Sequence, residues 1–132
     1  MADPGEMRVV LFSFGFKYGT PIDVNVMLDV RFLPNPYWQD ELRSKTGKDR
    51  EVSQYVIDSE AGKTLLGHLS SLFEYLVRQN IETGKEVVRI GIGCTGGRHR
   101  SVAVTEKLAA LLMDSKIEIT VYHRDINKDG IK

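Results

Sequence analysis

The sequence predicts an α/β fold: a single compact domain with a small, mostly parallel sheet and helical crossovers. Short runs of β-branched and aromatic residues alternate along the chain with longer amphipathic stretches of helical spacing. A glycine-rich loop lies between one strand and the helix after it, which is typical of sites that bind an anion at a helix N-terminus. The length of 132 residues suits one domain, and 42% hydrophobic with 27% charged residues is an ordinary globular composition.

The first half of the chain predicts two strands, each followed by a loop. Residues 8–13 form the first strand, and the two glycines and the proline of residues 14–21 end it. Residues 26–32 form the second strand, which closes at a Pro-Asn-Pro corner. Residues 37–48 are expected to make a surface excursion with a short helical turn, which Trp38 anchors against the body of the domain.

The second half predicts two helical regions, each followed by a strand. Apolar residues at helical spacing run through residues 49–80, as one or two helices with a break at Gly62. Residues 86–92 alternate β-branched residues as a buried strand does, residues 102–113 follow as a helix, and residues 117–122 form the last strand. This order of elements favours parallel strand pairs joined by helical crossovers.

Residues 91–101 read Gly-Ile-Gly-Cys-Thr-Gly-Gly-Arg-His-Arg-Ser and lead from a strand into a helix. Successive backbone amides in a glycine-rich turn can point inward at an anion, and the N-terminus of the helix adds its positive end at the same place. Gly96 and Gly97 allow a close approach of the backbone and a positive φ. The segment therefore predicts a pocket for a phosphate-like anion.

Side chains of the same loop supply further hydrogen-bond donors. The hydroxyl groups of Thr95 and Ser101 can donate to an anion. Arg100 can present a planar fork to two phosphate oxygens, a geometry that lysine does not reproduce. Arg98 and His99 are then candidates for the rim of the pocket.

Polar residues that follow the other strands are expected to converge on this loop. The carboxyl ends of parallel strands meet at one edge of a sheet, and this edge is where α/β proteins bind ligands. Lys17, Asp29 and Arg31 then lie within reach of residues 94–100. Asp29 and Arg31 also fit a self-contained surface ion pair, and both interpretations stay open.

The spacing of Cys94 and Arg100, with five residues between them and a serine after them, also resembles the signature of cysteine-dependent phosphatases. In those enzymes the cysteine attacks phosphorus and the arginine holds the oxygens, so both residues would be catalytic here. A cysteine beside arginines and a helix N-terminus gains thiolate character. The reaction also needs a general acid, for which Asp29 or Asp40 could serve. A strand-to-helix turn with a buried cysteine is a third alternative, and anion binding needs the fewest assumptions.

Composition limits the partners and the location that the sequence predicts. Eighteen basic residues balance eighteen acidic ones, so no global positive field favours nucleic acid. The single cysteine excludes an intramolecular disulfide, and neither a signal peptide nor a membrane span is predicted, which favours a cytoplasmic protein. The histidines and the cysteine lack zinc-site spacing, and the Gly-Lys-Thr of residues 62–64 lacks the Walker glycine, so no metal or cofactor is expected.

Four segments carry a family resemblance: Ser13-Phe14-Gly15-Phe16-Lys17-Tyr18-Gly19, Asp29-Val30-Arg31-Phe32-Leu33-Pro34-Asn35-Pro36, Thr46-Gly47 and Gly93-Cys94-Thr95-Gly96-Gly97-Arg98-His99-Arg100-Ser101. They resemble the C-terminal domain of the RapZ family of bacterial RNase adapter proteins, from about Val9 to Arg124. The resemblance implies a non-catalytic sensor or adapter that binds glucosamine-6-phosphate. It also implies that some members bind small RNAs and help present them to an endoribonuclease.

The resemblance implies a role for individual residues of the pocket. Asp29 would contact the sugar, while Lys17 and Arg31 would line the region around it. The phosphate side of the ligand would be held by Thr95, Gly96, His99 and Arg100.

The sequence departs from the family in three respects. Full-length members carry a Walker-type nucleotide-binding domain before this one, so a separate nucleotide-binding partner is one expectation. Tyr18 and Tyr37 stand where some relatives have histidines, and the tail mixes charges where RNA-binding relatives have a strongly basic one. Residues 1–132 are thus expected to form one RapZ C-terminal-like domain, with residues 1–6 and 125–132 flexible.

Overall fold

A computed structural model describes residues 7–113 and 117–128 of the chain. These residues form four β-strands and three α-helices, in the order β1 (Met7–Gly15), β2 (Val26–Asp29), α1 (Arg50–Ile57), α2 (Glu60–Glu82), β3 (Val87–Cys94), α3 (Arg100–Leu111) and β4 (Ile117–His123). Two short 3-10 helices, Phe16–Tyr18 and Pro36–Trp38, follow β1 and β2. The predicted flexibility of residues 1–6 and 129–132 falls outside the described residues.

The four strands form one sheet in the order β2-β3-β1-β4, and each neighbouring pair is parallel. Leu11 in β1 lies opposite Ile90 in β3 and Val121 in β4, while Asp29 in β2 lies opposite Gly93. The carboxyl ends of all four strands therefore meet at one edge. The predicted α/β fold is confirmed, and within the described residues the sheet is wholly parallel rather than mostly so.

The core has two unequal parts, one on each face of the sheet. On the larger side the helices cover buried residues of the central strands, including Val9, Leu11 and Ile90. On the other side Val10, Phe12 and Phe14 form a smaller cluster, to which Phe16 and Val24 add. Because β1 is covered on both faces, its sequence is a nearly continuous apolar run, as expected for a central parallel strand.

The second strand is shorter than the predicted residues 26–32. It ends at Asp29, because the chain turns directly afterwards. In this turn the amide of Leu33 donates a hydrogen bond of 3.2 Å to the carbonyl of Val30. The β-branched and aromatic residues after Asp29 favour a strand by propensity, but the turn before the Pro-Asn-Pro corner overrides that preference.

The predicted helix break at Gly62 is wrong. The helices separate at residues 58 and 59, where the Ser59 side chain accepts a hydrogen bond from the amide of Gly62 at 3.0 Å and caps α2. Gly62 lies inside the first turn of α2, and a Cβ there would lie 2.3 Å from the carbonyl oxygen of Val56. The glycine therefore serves the close packing of α2 against the end of α1, and does not break the helix.

The burial of individual side chains contradicts two further expectations, one for Trp38 and one for the tail. The side chain of Trp38 is 71% exposed, so it does not anchor residues 37–48, in which Leu42 is the buried apolar side chain. The mixed charges of the tail, from residue 123 onward, favour a solvated end of the chain, but Asp125 is fully buried. Its carboxylate is hydrogen-bonded in the interior, which is the usual condition for burying a charge.

Candidate anion-binding site

A cleft of about 860 Å³ opens at the carboxyl edge of the sheet, where the loops after β1, β2 and β3 meet. Its lining comprises Lys17, Asn35, Tyr37, Trp38, Asp40, Arg43, Ser44, Cys94, Thr95, Gly96, Arg98, His99 and Arg100. Seven of the eleven residues that the sequence predicts for the site are among them. The other four, Asp29, Arg31, Gly97 and Ser101, lie next to the cleft or beneath it.

The floor of the cleft is formed where two loop backbones touch. A Cβ on Gly15 would lie 2.4 Å from the carbonyl carbon of Gly96, and one on Gly97 would lie 2.6 Å from the amide nitrogen of Gly15. The amide of Lys17 donates to the carbonyl of Thr95 at 3.2 Å. Gly97 has a φ of 76°, which favours glycine, whereas Gly96 does not have the positive φ that the sequence allows for it.

Arg100 is the first residue of α3, and its side chain is buried in the wall of the cleft. One terminal nitrogen donates to the carbonyls of Arg31 and Leu33, and the other donates to Thr95 Oγ1 at 3.4 Å. Among the described residues, nothing accepts a hydrogen bond from its buried Nε. The guanidinium thus joins the loop after β2 to the glycine-rich loop and keeps one buried donor without a protein acceptor.

Arg98 lies beneath the cleft wall, and its guanidinium is bound on three sides. Nε donates to the carbonyl of Lys45 at 3.2 Å, and the terminal nitrogens donate to the carbonyls of Ser44 and Ile126. The backbone carbonyl of Arg98 also accepts from the amide of Gly47 at 2.9 Å. The sequence places Arg98 at the rim, but only 8% of it is exposed, because these carbonyls surround it.

His99 is also buried, and it holds the same neighbouring segment. Its Nε2 lies 3.0 Å from the carbonyl oxygen of Arg43, which can only accept, so Nε2 carries the proton. Burial lowers the pKa of His99, and the positive charges of Arg98 and Arg100 act in the same direction, while hydrogen bonds to backbone carbonyls oppose them. His99 therefore adds a neutral imidazole to the cleft wall.

Cys94 lies at the end of β3 with only 2% of its surface exposed. Its thiol donates to the hydroxyl of Ser101 at 3.1 Å, and Ser101 is itself fully buried. The hydroxyl that the sequence assigns to the anion thus accepts from the cysteine. A reactive thiolate needs solvent access and positive neighbours. Because this thiol is buried, it lacks solvent access.

Asp29 and Arg31 bind each other beside the cleft. Arg31 donates to both carboxylate oxygens of Asp29, at 2.9 and 2.7 Å, and stacks 4.1 Å above the ring centre of Phe16. The hydrogen bond from Arg31 is the main reason that the pKa of Asp29 lies below its usual value. The half-exposed pair is the surface ion pair that the sequence left open, and the carbonyl of Arg31 connects it to Arg100.

Residues 35–48 form the outer wall of the cleft, in which the sequence assigned a chemical role only to Asp40, as a candidate general acid. The side chain of Asn35 accepts from the amide of Tyr37 at 3.1 Å, and Arg43 Nε donates to the Tyr37 carbonyl at 2.8 Å. Arg43 also forms an ion pair with Asp40 at 2.9 Å. The signal that could have found this wall is the pair of aromatic residues directly after a proline corner at a strand end.

The tail reaches the floor of the cleft from behind. The carboxylate of Asp125 accepts from the amide of Gly15 at 2.8 Å and from the side chain of Arg124 at 2.8 Å, and it pairs with Lys128. Burial raises the pKa of Asp125, but the hydrogen bonds from Arg124, Gly15 and Lys128 together outweigh it and hold the pKa below its usual value. Asp125 is thus an ionised support of the loop after β1.

Within residues 7–113 and 117–128, no group of three or more potential metal-ligating side chains is present. The helices in that part of the chain are also too short or too polar to cross a membrane.

The fold and the cleft define an α/β domain whose candidate ligand site lies at the carboxyl edge of a parallel sheet. The family model of the RapZ C-terminal domain matches residues 7–127. The chain belongs to this family.

The chain is also similar to bacterial proteins named nucleotide-binding proteins. It is 47% identical to one from Heliobacterium modesticaldum over 94% of this chain and 41% of the relative. It is 45% identical to one from Streptomyces coelicolor over 94% and 42%, and 45% identical to one from Corynebacterium aurimucosum over 95% and 45%. The chain thus spans less than half the length of these relatives.

Proposed function

We propose that the cleft binds a phosphorylated amino sugar of the glucosamine-6-phosphate type, and that the domain acts as a non-catalytic sensor or adapter. The observation that carries the proposal is Arg100, which lines the cleft at the start of α3 and whose buried Nε has no acceptor among the described residues. A buried donor without a partner is costly, and a phosphate oxygen would satisfy it.

The charges and donors around Arg100 support the same ligand. Thr95 is exposed beside it, and Gly96 and Lys17 line the same part of the cleft. The amides at the N-terminus of α3 favour an anion there. In this proposal these residues and His99 hold the phosphate, and Asp29 meets the sugar only when its carboxylate is released by Arg31.

The burial of Cys94 favours binding over phosphate transfer. Cys94 lines the cleft, but its thiol is 2% exposed and donates to Ser101, which disfavours attack on a phosphorus atom. Contacts with small RNA, an endoribonuclease or a separate nucleotide-binding partner stay predictions from the family resemblance. With 18 basic and 18 acidic residues, any RNA contact would depend on a local patch.

Calorimetric titration with glucosamine-6-phosphate tests the proposal. We expect Arg100→Met to abolish binding and Thr95→Val to weaken it about tenfold, the effect of one hydrogen bond to a charged group. Arg78→Met, at an exposed position on α2, is the matched arginine control and should bind like the wild type. Glucosamine without phosphate should not bind measurably.

Thr95→Val keeps the test decisive if Arg100→Met fails to fold. Absence of binding by the wild-type chain would overturn the proposal, as would unchanged affinity in either Thr95→Val or a folded Arg100→Met. In the same samples, hydrolysis of an aryl phosphate should not exceed that of Cys94→Ser. Turnover that depends on Cys94 would establish the phosphatase alternative instead.

A further inference from the structure

Tyr37 and Trp38 form an ordered aromatic pair that is open to solvent on the outer wall of the cleft. The ring centres are 5.1 Å apart at an angle of 88°, and the side chains are 46% and 71% exposed. The guanidinium of Arg43 lies 5.0 Å from the Tyr37 ring centre. The indole ring is thus supported by its neighbour while most of its own surface remains uncovered.

The backbone beneath this pair is fixed by local hydrogen bonds. Asn35 caps the short helix that carries the pair, and Pro36 at its first position is buried. The carbonyl of Tyr37 accepts from Arg43, which is in turn paired with Asp40. Since an exposed tryptophan on an ordered backbone contributes little to the core, its placement in the cleft lining favours a role in binding.

The cleft is larger than a phosphosugar needs. Ligand pockets of roughly 300–1,000 Å³ hold drug-sized molecules, and this cleft of about 860 Å³ lies toward the upper end of that range. The anion donors come from residues 15–17 and 94–100, the inner wall of the cleft, whereas the exposed aromatic surface belongs to the outer wall. A ligand that uses both walls carries a phosphate and a flat ring.

We infer that the outer wall is a second subsite that stacks a nucleobase on Trp38, so that the cleft accepts a nucleoside monophosphate with its phosphate on the glycine-rich loop. This inference rests on the proposed phosphate site. Every nucleobase has a flat face that can stack on an aromatic side chain. Asn35 and Asp40 also line the cleft and carry polar groups that could meet the edge of the base. A ligand without an anionic group would make no use of the hydrogen-bond donors on the glycine-rich loop.

The experiment compares adenosine 5′-monophosphate with ribose 5-phosphate, which has an anomeric hydroxyl in place of the base. Trp38 is the single tryptophan of the chain, so its fluorescence reports on this subsite alone. We expect the nucleotide to quench the emission and to bind about tenfold more tightly than ribose 5-phosphate, in keeping with one stacked base. Calorimetry gives the affinities independently of the fluorescence.

The variant Trp38→Ala should remove the advantage of the nucleotide and leave the affinity for ribose 5-phosphate unchanged. Because Trp38 is 71% exposed, this variant is expected to fold. Tyr75→Ala, at a 53% exposed aromatic residue on α2, is the control and should preserve the advantage.

Equal affinities for the two compounds in the wild-type chain would overturn the second subsite. So would an advantage for the nucleotide that survives in Trp38→Ala. These results leave the phosphate site standing if glucosamine-6-phosphate still binds. Failure of the nucleotide, ribose 5-phosphate and glucosamine-6-phosphate alike would instead refute the proposed function.

Discussion

The two walls of the cleft are built by different physical means. The inner wall, residues 15–17 and 94–100, is made of strand ends and glycines whose backbones lie in direct contact. The outer wall, residues 35–48, consists of turns and one short helix, and most of its side chains are exposed. It is held to the inner wall by hydrogen bonds from Arg98 and His99 to backbone carbonyls.

This difference shows that one short loop, residues 96–99, can serve both a wall fitted by steric contact and a wall attached by hydrogen bonds. Residues 96 and 97 supply the steric fit, and the next two residues supply the long-range attachment. Steric fit tolerates no added atoms, whereas hydrogen bonds can be lost one at a time. Substitutions in the two walls should therefore have effects on stability that differ in size and in kind.

The largest effect is expected from Gly15→Ala in the inner wall. The new methyl group would lie 2.4 Å from the backbone of Gly96, which cannot move without shifting the whole loop. We expect the free energy of unfolding to fall by about 3 kcal/mol, as measured by urea denaturation.

Gly67→Ala is the matched control for that substitution. Gly67 lies inside α2 with nothing within 4 Å of an added Cβ, so alanine should stabilise the chain by about 0.5–1 kcal/mol. Similar losses in both variants would show that steric contact does not define the inner wall.

A smaller effect is expected from Arg98→Met, which detaches the outer wall. The substitution keeps much of the apolar stem but leaves the carbonyls of Ser44, Lys45 and Ile126 without this donor. We expect a loss of about 2 kcal/mol in the free energy of unfolding. Amide hydrogen exchange should accelerate in residues 35–48 and not in β1 or β3.

The control is again Arg78→Met, which should change stability by less than about 0.5 kcal/mol because the side chain is exposed. Uniformly faster exchange across the domain in Arg98→Met would mean that the outer wall is not a separately attached unit.

The smallest of the three effects is a pH dependence that originates at His99. Burial lowers the pKa of His99 in the folded chain below the ordinary value of 6.5. Below that value the unfolded chain binds more protons than the folded one, so stability is full above about pH 6.5 and decreases as the pH falls through the lowered pKa.

His99→Gln should flatten the stability profile in that window, because glutamine stays neutral and can still donate a hydrogen bond toward the Arg43 carbonyl. Asp29 and Asp125 act in a separate range: their lowered pKa values remove stability only as the pH falls below about 3.8. His68→Gln, at an exposed position on α2, serves as the control. An unchanged slope in His99→Gln would refute the assignment.

Most of the fold could be predicted from the sequence because local patterns and tertiary packing agree. The apolar runs of β1 and β3 and the helical spacing of α2 each match the element that forms. The failures lie where packing overrides a local signal. Gly62 looks like a break in sequence but meets the end of α1, and the strand propensity after Asp29 gives way to a turn.

The inner wall was also predictable, because a glycine-rich loop between a strand and a helix has a local signature. The outer wall has none of comparable strength. Its attachment depends on Arg98 reaching carbonyls 53 and 54 residues away along the chain, which no local pattern encodes. The roles of Ser101 and Asp125 were missed for the same reason. Only the folded chain brings the thiol of Cys94 to Ser101 and the amide of Gly15 to Asp125.

The hydrogen bond between Gly15 and Asp125 joins positions 110 residues apart. During synthesis on the ribosome, the loop after β1 emerges early and must wait for β4 and the turn beyond it before this support exists. Contacts of such sequence separation form late and slow the folding of parallel sheets. A nascent chain therefore completes this cleft only at the end of domain synthesis, so ligand capture at the proposed site would mark a finished domain.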